Sequence, residues 1–367
     1  MLYNLDEICL IPTKVTTIKS RKECIPLYNS ASGDYKLPIY ISPMSSVIDE
    51  DNIQVFEQGH YNTIVPRSVE LNKRIEMLSS GIVVAFGFKE ASYLYDYFDD
   101  ILNRKMSKIG YTAHICIDQA NGHMEELIDL CKDFKTLLGD EIWIMTGNVA
   151  NPITYYEYAK AGIDAIRIGI GSGNVCTTSI QTGIHYPMAT LITETYAAKK
   201  YVKESLGIDI ESLNKAVIHQ DIIEAIKATK NEYKSVPLII ADGGFTNISQ
   251  IIKALALGAD YVMIGRLAAS MKEACGEIAY DNEKGLCRKY YGMSTYKAQN
   301  EISKGNVLKH EEGIEKLVRI ETTIDQFHKD FCDIMSSTMS YTGHKTLEEF
   351  IGDVEYNVMN LKTLNKI

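Results

Sequence analysis

The residues best suited to covalent chemistry lie in one glycine-rich stretch, 164–178, which reads DAIRIGIGSGNVCTT. The pattern predicts a buried strand that runs into a loop ending at Cys176 beside two threonines. Glycine permits positive φ and close approach, so this loop would expose backbone N–H and C=O groups able to hold a phosphate or a cation. Cys176 could then be a nucleophile. A tight turn followed by an inert, buried cysteine explains the same pattern, and this stretch alone does not decide between them.

Two further glycine-bearing stretches, Asp242-Gly243-Gly244 and Gly265-Arg266, follow consecutive apolar runs. Neighbouring strand ends that offer glycine amides suit a phosphate monoester, and Asp242 could accept hydrogen bonds from ribose hydroxyls. Asp118 also ends an apolar run and could bind a second ribose. The structural alternatives are helix-preceding turns for the glycines and an Asx-turn or helix cap for Asp118.

A polar segment near the C-terminus holds a candidate acid or base at Glu312-Gly313. A loop carboxylate can transfer protons in catalysis, although most loop glutamates are merely solvated. No metal site is indicated, because the histidines lack ligand spacing and the eight cysteines are scattered without a CxxC pair. The same scatter predicts no disulfide framework and fits a reducing cytoplasm.

Charge and hydropathy limit the classes of partner. The chain has 367 residues and a net charge of −10, which argues against general binding to nucleic acid or to anionic membranes. An anionic ligand would therefore need a local site built from the backbone. No apolar run reaches the 18 or so residues of a membrane span, and the N-terminus does not resemble a signal peptide.

Short apolar runs alternate with amphipathic, helix-like stretches along the chain. Because most runs are apolar at successive positions, they suit parallel strands that are buried on both faces. The eight predicted strands are 37–42, 61–65, 81–86, 112–118, 141–147, 165–170, 236–241 and 260–264. Eight such units over about 250 residues predict an α/β fold, a (β/α)8 TIM barrel, with ligands at the C-terminal ends of the strands. A doubly wound sheet is the alternative.

Two segments break the regular spacing of the predicted barrel. Residues 199–233 are charged and helix-forming, and they resemble a helical elaboration between strands six and seven. Residues 276–319 are polar and predicted to be irregular, as a flap would be. A last helix, 322–339, would complete the outer layer. No linker or repeat divides the chain, so 1–367 is predicted to be a single domain.

Motifs along almost the whole chain resemble the family of IMP dehydrogenase and GMP reductase. LDEICLIP at 5–12 is similar to the family's opening DDVLLxP, and SPM at 42–44 to the SPM of its first strand. GNV at 147–149 matches, and GIGSGNVCTT at 169–178 resembles the signature loop GxGPGSxCTT. DGG at 242–244 and YGMS at 291–294 complete the set.

The resemblance implies a (β/α)8 barrel that usually assembles as a homotetramer. It also implies that Cys176 attacks C2 of a purine mononucleotide to give a covalent thioimidate, with a nicotinamide stacked on the purine. The chemistry is reasonable, because a thiolate is a strong nucleophile once local dipoles or a cation lower its pKa.

Several features resemble the reductase branch of the family. The connection 65–81 leaves no room for the CBS insertion of the dehydrogenases, and 294–311 holds no Arg-Tyr pair to activate water. DQANG at 118–122 is similar to the reductases' DxANG, SYTGHK at 340–345 to their TYVGxxK, and KHEEG at 309–313 to their RASEG. The resemblance thus implies reduction of GMP by NADPH. An IMP dehydrogenase without CBS domains and a purine-nucleotide-binding protein without catalysis are the alternatives.

The resemblance assigns roles by position. Catalysis would fall to Cys176, Thr178 and Glu312. The purine nucleotide would contact Asn174, Asp242, Gly243, Gly244, Gly265, Arg266, Gly292, Met293, Ser294 and Gly313. NADPH would contact Ser20, Arg21, Arg67, Asp118, Gln119, Ala120, Asn148, Ile170, Gly171, Lys309, Ser337 and Ser340. A monovalent cation, K+, would be held by backbone carbonyls of Gly171, Gly173 and Cys176. Arg266 stands where the family has Gly or Ser, and it could itself pair with phosphate.

Overall fold

The computed structural model describes residues 2–29, 34–78, 81–96, 112–206, 233–303 and 313–359. Its centre is a sheet of eight parallel strands, in which the last strand pairs with the first and an isolated bridge from Tyr40 to Asn62 completes the ring. The strands are β1 (Ile39–Ile41), β2 (Ile64–Val65), β3 (Val83–Phe86), β4 (Ala113–Asp118), β5 (Ile142–Val149), β6 (Ala165–Ile168), β7 (Leu238–Asp242) and β8 (Tyr261–Ile264). Each overlaps one predicted run, so the (β/α)8 barrel is confirmed.

Alternate strand residues fill the inside of the barrel and form one buried cluster. This interior cluster comprises Tyr40, Ile64, Val83, Ala85, Cys116, Met145, Ala165, Ile240 and Met263. The intervening residues pack beneath the helices, which is why the strands read as continuous apolar runs. Asp118, Arg167 and Asp242 each lie two positions beyond a member of the interior cluster. They therefore point into the barrel at the C-terminal end of the strands.

Each strand is followed by a helix of the outer layer. These helices are α1 (Ile53–Gln58), α2 (Leu71–Met77), α3 (Phe88–Asp96), α4 (Glu125–Leu138), α5 (Thr154–Ala161), α6 (Met188–Ser205), α7 (Ile248–Ala256) and α8 (Ile324–Thr342). Asn247 caps α7 by accepting a hydrogen bond from the Gln250 N–H at 3.0 Å. In the described part of the chain, no helix has the length and apolar content needed to cross a membrane.

The segment after β8 differs from the prediction of irregular structure. It forms an antiparallel sheet of Ile278–Asp281, Gly285–Tyr291 and Glu315–Arg319, with a helix at Tyr296–Ser303. Residues of Ile278–Asp281 alternate between exposed and half-buried, so one face meets solvent and the sequence reads as polar. We refer to these three strands as the flap sheet. Residues 304–312 lie outside the described part.

The predicted elaboration at 199–233 begins instead as a barrel helix. Lys199 lies in α6, is 4% exposed and places its Nζ 2.5 Å from Asp260 Oδ1. Its charge therefore serves a buried ion pair at the start of β8, and the prediction was wrong for this part of the segment. Residues 207–232 lie outside the described part of the chain.

Candidate active site

The loop that carries Cys176 depends on glycine at two positions. Gly169 and Gly171 have φ values of 126° and 74°, in a region that side-chain-bearing residues rarely adopt. A Cβ on Gly169 would collide with the Asp242 carbonyl oxygen, and one on Gly171 would lie 2.9 Å from Ser179 Cβ. The loop is thus folded tightly over the end of β6 and lies against the end of β7.

Cys176 is half-buried, and its neighbours are polar. Its thiol donates a hydrogen bond to Thr178 Oγ1 at 3.2 Å, and its backbone N–H donates to Gly173 O at 3.1 Å. Gly313 forms an antiparallel bridge with Cys176, and the Ile314 N–H donates to Val175 O at 3.0 Å. The chain immediately after Glu312 therefore lies beside the cysteine. Glu312 and Lys309 are outside the described residues.

The predicted phosphate-binding strand ends meet the Cys176 loop. A Cβ on Gly244 would lie 2.9 Å from Ser172 O, and one on Gly243 would lie 3.2 Å from Gly173 N. Both glycines have positive φ, so their presence permits this close approach. The ends of β6 and β7 thus form one continuous backbone surface beside Cys176.

Tyr290, which the sequence did not point to, lies beside Gly265 at the same end of the barrel. The hydroxyl of Tyr290 would be 2.5 Å from a Cβ on Gly265, and Met44 Sδ would be 3.1 Å from it. Burial raises the pKa of Tyr290, so the hydroxyl stays protonated and able to donate. The only sequence signal for Tyr290 is its position directly before the YGMS motif.

The YGMS motif lies close to the nucleophile loop. A Cβ on Gly292 would lie 3.4 Å from Val175 Cγ2, and one on Gly313 would lie 3.0 Å from Ser294 Oγ. Met293 packs against the main hydrophobic core. The structure therefore brings the predicted nucleotide-contacting residues 292–294 and Gly313 to one side of Cys176.

A buried guanidinium, also missed from the sequence, links the two carboxylates predicted to bind ribose. Arg167, 6% exposed, donates from Nη1 to Asp118 Oδ1 at 2.5 Å and from Nη2 to Asp242 Oδ2 at 2.8 Å. Asn148 Nδ2 donates to the same Asp242 oxygen at 2.8 Å and to Gly169 O at 3.0 Å. Four neighbouring strands thus share one polar network at the barrel mouth.

Charge stabilises this network. Burial by itself would raise the pKa of Asp118, but Arg167 and then Arg67 outweigh it and hold that pKa below its ordinary value. Burial likewise opposes the charge on Arg167, and Asp242 and Asp118 reverse the effect, so its pKa lies well above the ordinary value. Asp118 and Arg167 therefore carry opposite charges at neutral pH.

The residues predicted to contact the cofactor fall into two groups. Near the barrel mouth, the Asn148 N–H donates to Gln119 O at 2.7 Å and the Gln119 N–H donates to Gly147 O at 2.9 Å. Asp118 and Ala120 flank Gln119 in the chain. Arg67 covers Gly87 at the end of β3, where a Cβ on Gly87 would lie 2.6 Å from Arg67 Cζ. The structure brings this first group together.

The second group lies at the short helix Arg21–Glu23 and in α8. Ser20 caps the short helix Arg21–Glu23, and Ser340 in α8 donates to Ser337 O at 2.7 Å. Among the described residues, no hydrogen bond joins Ser20, Arg21, Ser337 or Ser340 to the Cys176 loop. Their predicted contact with a cofactor remains a prediction.

Two buried hydroxyls beside the nucleophile lack partners. Ser172 Oγ and Thr177 Oγ1 are shielded from solvent and form no hydrogen bond within the described chain. Unsatisfied buried polar groups are uncommon, and a bound ligand is one way to satisfy them.

Of the carbonyls predicted to hold a cation, Gly171 O accepts from the Ser179 hydroxyl at 3.3 Å and Gly173 O from Cys176 N–H. The described residues contain no cluster of three His, Cys, Asp or Glu side chains suited to a metal.

Comparison with known proteins agrees with this geometry. A family model described as the IMP dehydrogenase / GMP reductase domain matches residues 103–228 and 213–365. A GMP reductase from Lactobacillus delbrueckii subsp. bulgaricus is 27% identical over 372 residues, covering 99% of this chain and 96% of that protein. GMP reductases from Staphylococcus aureus (strain MRSA252) and Oceanobacillus iheyensis are 28% and 27% identical, each covering 99% of this chain and 98% of the relative. The chain belongs to the IMP dehydrogenase / GMP reductase family.

Proposed function

We propose that this protein is a GMP reductase, which converts GMP to IMP and ammonia with NADPH as reductant. The observation that carries the proposal is the β-bridge between Cys176 and Gly313. This bridge places the residue that directly follows Glu312 beside Cys176, whose thiol also contacts Thr178. A nucleophile and a proton-transfer pair are the groups that this deamination needs. The names of the relatives support the same reaction.

In the proposed reaction, the Cys176 thiolate adds to C2 of GMP. Thr178 and Glu312 transfer a proton to the 2-amino group, so that ammonia leaves and a thioimidate remains on the cysteine. When bound, NADPH supplies the hydride that reduces C2. The C2–S bond then breaks, which releases IMP and returns the thiolate.

Substrate binding uses the strand ends around Cys176. Asp242 would accept hydrogen bonds from the ribose hydroxyls, because Arg167 and Asn148 hold its Oδ2 and leave its Oδ1 without a partner among the described residues. Gly244 and Gly265 would offer the backbone to the 5′-phosphate, with Arg266 adjacent. Asn174, Gly243 and the YGMS residues would enclose the nucleotide.

The types of polar side chain at the barrel mouth suit the binding of a nicotinamide cofactor. Arg67 Nε is buried and forms no hydrogen bond among the described residues, although it lies 3.4 Å from Glu90 Oε2 in an ion pair. The Ser172 and Thr177 hydroxyls are buried and unsatisfied among the described residues. Asp118, Gln119, Ala120, Asn148, Ile170 and Gly171 would hold NADPH at this face. Binding of K+ by the Gly171, Gly173 and Cys176 carbonyls, a homotetrameric assembly and a cytoplasmic location are also part of the proposal.

A two-way substrate assay tests the proposed reaction. The protein is mixed with GMP and NADPH, or with IMP and NAD, and reduced nicotinamide is followed by its absorbance. We expect oxidation of NADPH that depends on GMP and releases ammonia. Turnover of IMP with NAD alone would assign a dehydrogenase instead. Binding of nucleotide without turnover in either direction, and without an adduct at Cys176 by intact mass, would indicate a protein that has lost catalysis.

A further inference from the structure

A pocket of ≈ 140 Å³ lies where the ends of β7 and β8 meet the flap sheet. It has space for a group of several heavy atoms, because a single water needs only about 10–15 Å³ of such volume. Its polar lining comes from the barrel and from the flap sheet: Thr246, Arg266, Ser270, Lys284, Arg319 and Glu321. Of the lining residues, Arg266 alone is predicted to contact the nucleotide, and the proposed reaction uses none of the others.

The charge of the lining contrasts with that of the chain. Arg266, Lys284 and Arg319 contribute three positive charges and Glu321 one negative charge, in a protein whose net charge is −10. The local excess of two positive charges matches a phosphate monoester, which carries about −1.5 to −2 at neutral pH. Such a concentration of cations on an acidic protein attracts anions selectively to this place.

The three cationic side chains of the pocket form no ion pairs with the described residues. Nearby, Lys289 and Lys297 both pair with Glu277, at 2.5 and 3.5 Å. By contrast, Arg266, Lys284 and Arg319 are exposed and form no ion pair with any residue that the structure describes. Their donors are therefore available to a ligand.

The pocket adjoins the predicted 5′-phosphate site. Arg266 directly follows Gly265, and Thr246 lies two residues beyond Gly244. Burial and then the charge of Asp242 raise the pKa of Tyr290, and the positive charge of Arg266 opposes that rise. Whereas the 5′-phosphate site offers backbone amides, the pocket offers guanidinium groups.

We propose that this pocket is a second phosphate-binding site, in which Arg266, Lys284 and Arg319 hold a phosphate group of a small phosphorylated molecule. Two guanidinium forks match the geometry of phosphate oxygens, and the Lys284 ammonium adds a point charge. The phosphate is either the terminal one of a nucleoside di- or triphosphate whose first phosphate lies at Gly265, or that of a separate effector.

Calorimetric titration with inorganic tripolyphosphate tests the site on the full chain. Lys284→Ala and Arg319→Ala should each weaken binding by about tenfold, because each removes one charge-assisted contact. Lys316→Ala removes the same charge from the same strand as Arg319 but does not line the pocket, so it should bind as the unaltered protein does. Because the cations are exposed, added salt should weaken binding.

The proposal is overturned if the unaltered protein does not bind tripolyphosphate at low salt, or if all three variants bind it equally well. Titration in saturating GMP identifies the source of the phosphate: competition indicates a nucleotide that spans both sites, and simultaneous binding indicates an effector. The titration needs no turnover, so a chain without GMP reductase activity still tests the pocket. Lys284 and Arg319 lie outside the proposed catalytic machinery, and both variants should keep the basal rate with GMP.

Discussion

Arg167 donates two hydrogen bonds to a single oxygen of Asp242, from Nη2 at 2.8 Å and from Nε at 3.3 Å. The interaction joins β6 to β7 and fixes which carboxylate oxygen of Asp242 stays available at the barrel mouth. Through its other nitrogen, Arg167 also holds Asp118, the carboxylate that we assign to the cofactor. One buried cation thus sets the orientation of both predicted ribose-binding groups.

Replacing Arg167 should lower both stability and nucleotide binding. Arg167→Met leaves two largely buried carboxylates, 16% and 13% exposed, without their cation. Such a change costs about 3–5 kcal/mol in fully buried pairs. Arg167→Lys keeps the charge but loses the fork geometry, so it should cost less. Urea unfolding measures the stability, and KM for GMP reports the orientation of Asp242. An Arg167→Met variant as stable as the unaltered protein would show that the network contributes nothing to folding.

The lowered pKa of Asp118 predicts a dependence of stability on pH. A carboxylate with a lower pKa in the folded state contributes stability that is fully present above its unfolded pKa, about 4. That contribution is lost as the pH falls through the lower folded value. The free energy of unfolding should therefore decrease below about pH 4, and Asp118→Asn should flatten this decrease. Glu157→Gln, at an exposed surface position, serves as the control, and parallel curves for all three proteins would contradict the assignment.

The proposed thioimidate requires the sulfur of Cys176. Cys176→Ser should reduce kcat by at least about 10³-fold, since loss of a nucleophile commonly costs that much or more. Because the substitution is nearly isosteric, GMP binding and thermal stability should be unchanged. Intact mass after incubation with GMP should show an adduct for the unaltered protein only. Activity that persists in Cys176→Ser would remove the cysteine from the mechanism.

Thr178 should act in the chemical step rather than in binding. Its hydroxyl lies 3.2 Å from Cys176 Sγ, and Thr178→Val removes the hydroxyl while keeping the side-chain shape. We expect kcat to fall by about 10²-fold or more, the usual scale for lost acid–base assistance, with KM little changed. Thr178→Ser restores the hydroxyl and should restore most of the rate. Equal kcat values for the Val and Ser variants would exclude proton transfer through this group.

The sequence predicts the barrel and the nucleophile loop because both depend on local patterns. Apolar runs mark strands buried on both faces, and glycine spacing marks the Cys176 loop. The role of Arg167 could not be predicted from a local pattern, because its partners lie 49 and 75 residues away in the sequence. A single cation within an apolar run predicts nothing by itself. The flap sheet could not be predicted for a different reason: strands with one exposed face lack the continuous apolar run of the barrel strands.

Breaking the ion pair between Lys199 and Asp260 tests whether residues 199–205 belong to the barrel rather than to an elaboration. Both oxygens of Asp260 accept from Lys199 Nζ, at 2.5 and 2.6 Å, and Oδ2 also accepts from the Ile239 N–H at 2.6 Å. Lys199→Met would leave this buried carboxylate without its cation, so the free energy of unfolding should fall by about 3–5 kcal/mol. The matched control is Lys160→Met, which breaks the more exposed pair with Glu157 and should cost no more than about 1 kcal/mol. Equal losses for the two variants in urea unfolding would show that the Lys199 pair is not part of the folded core.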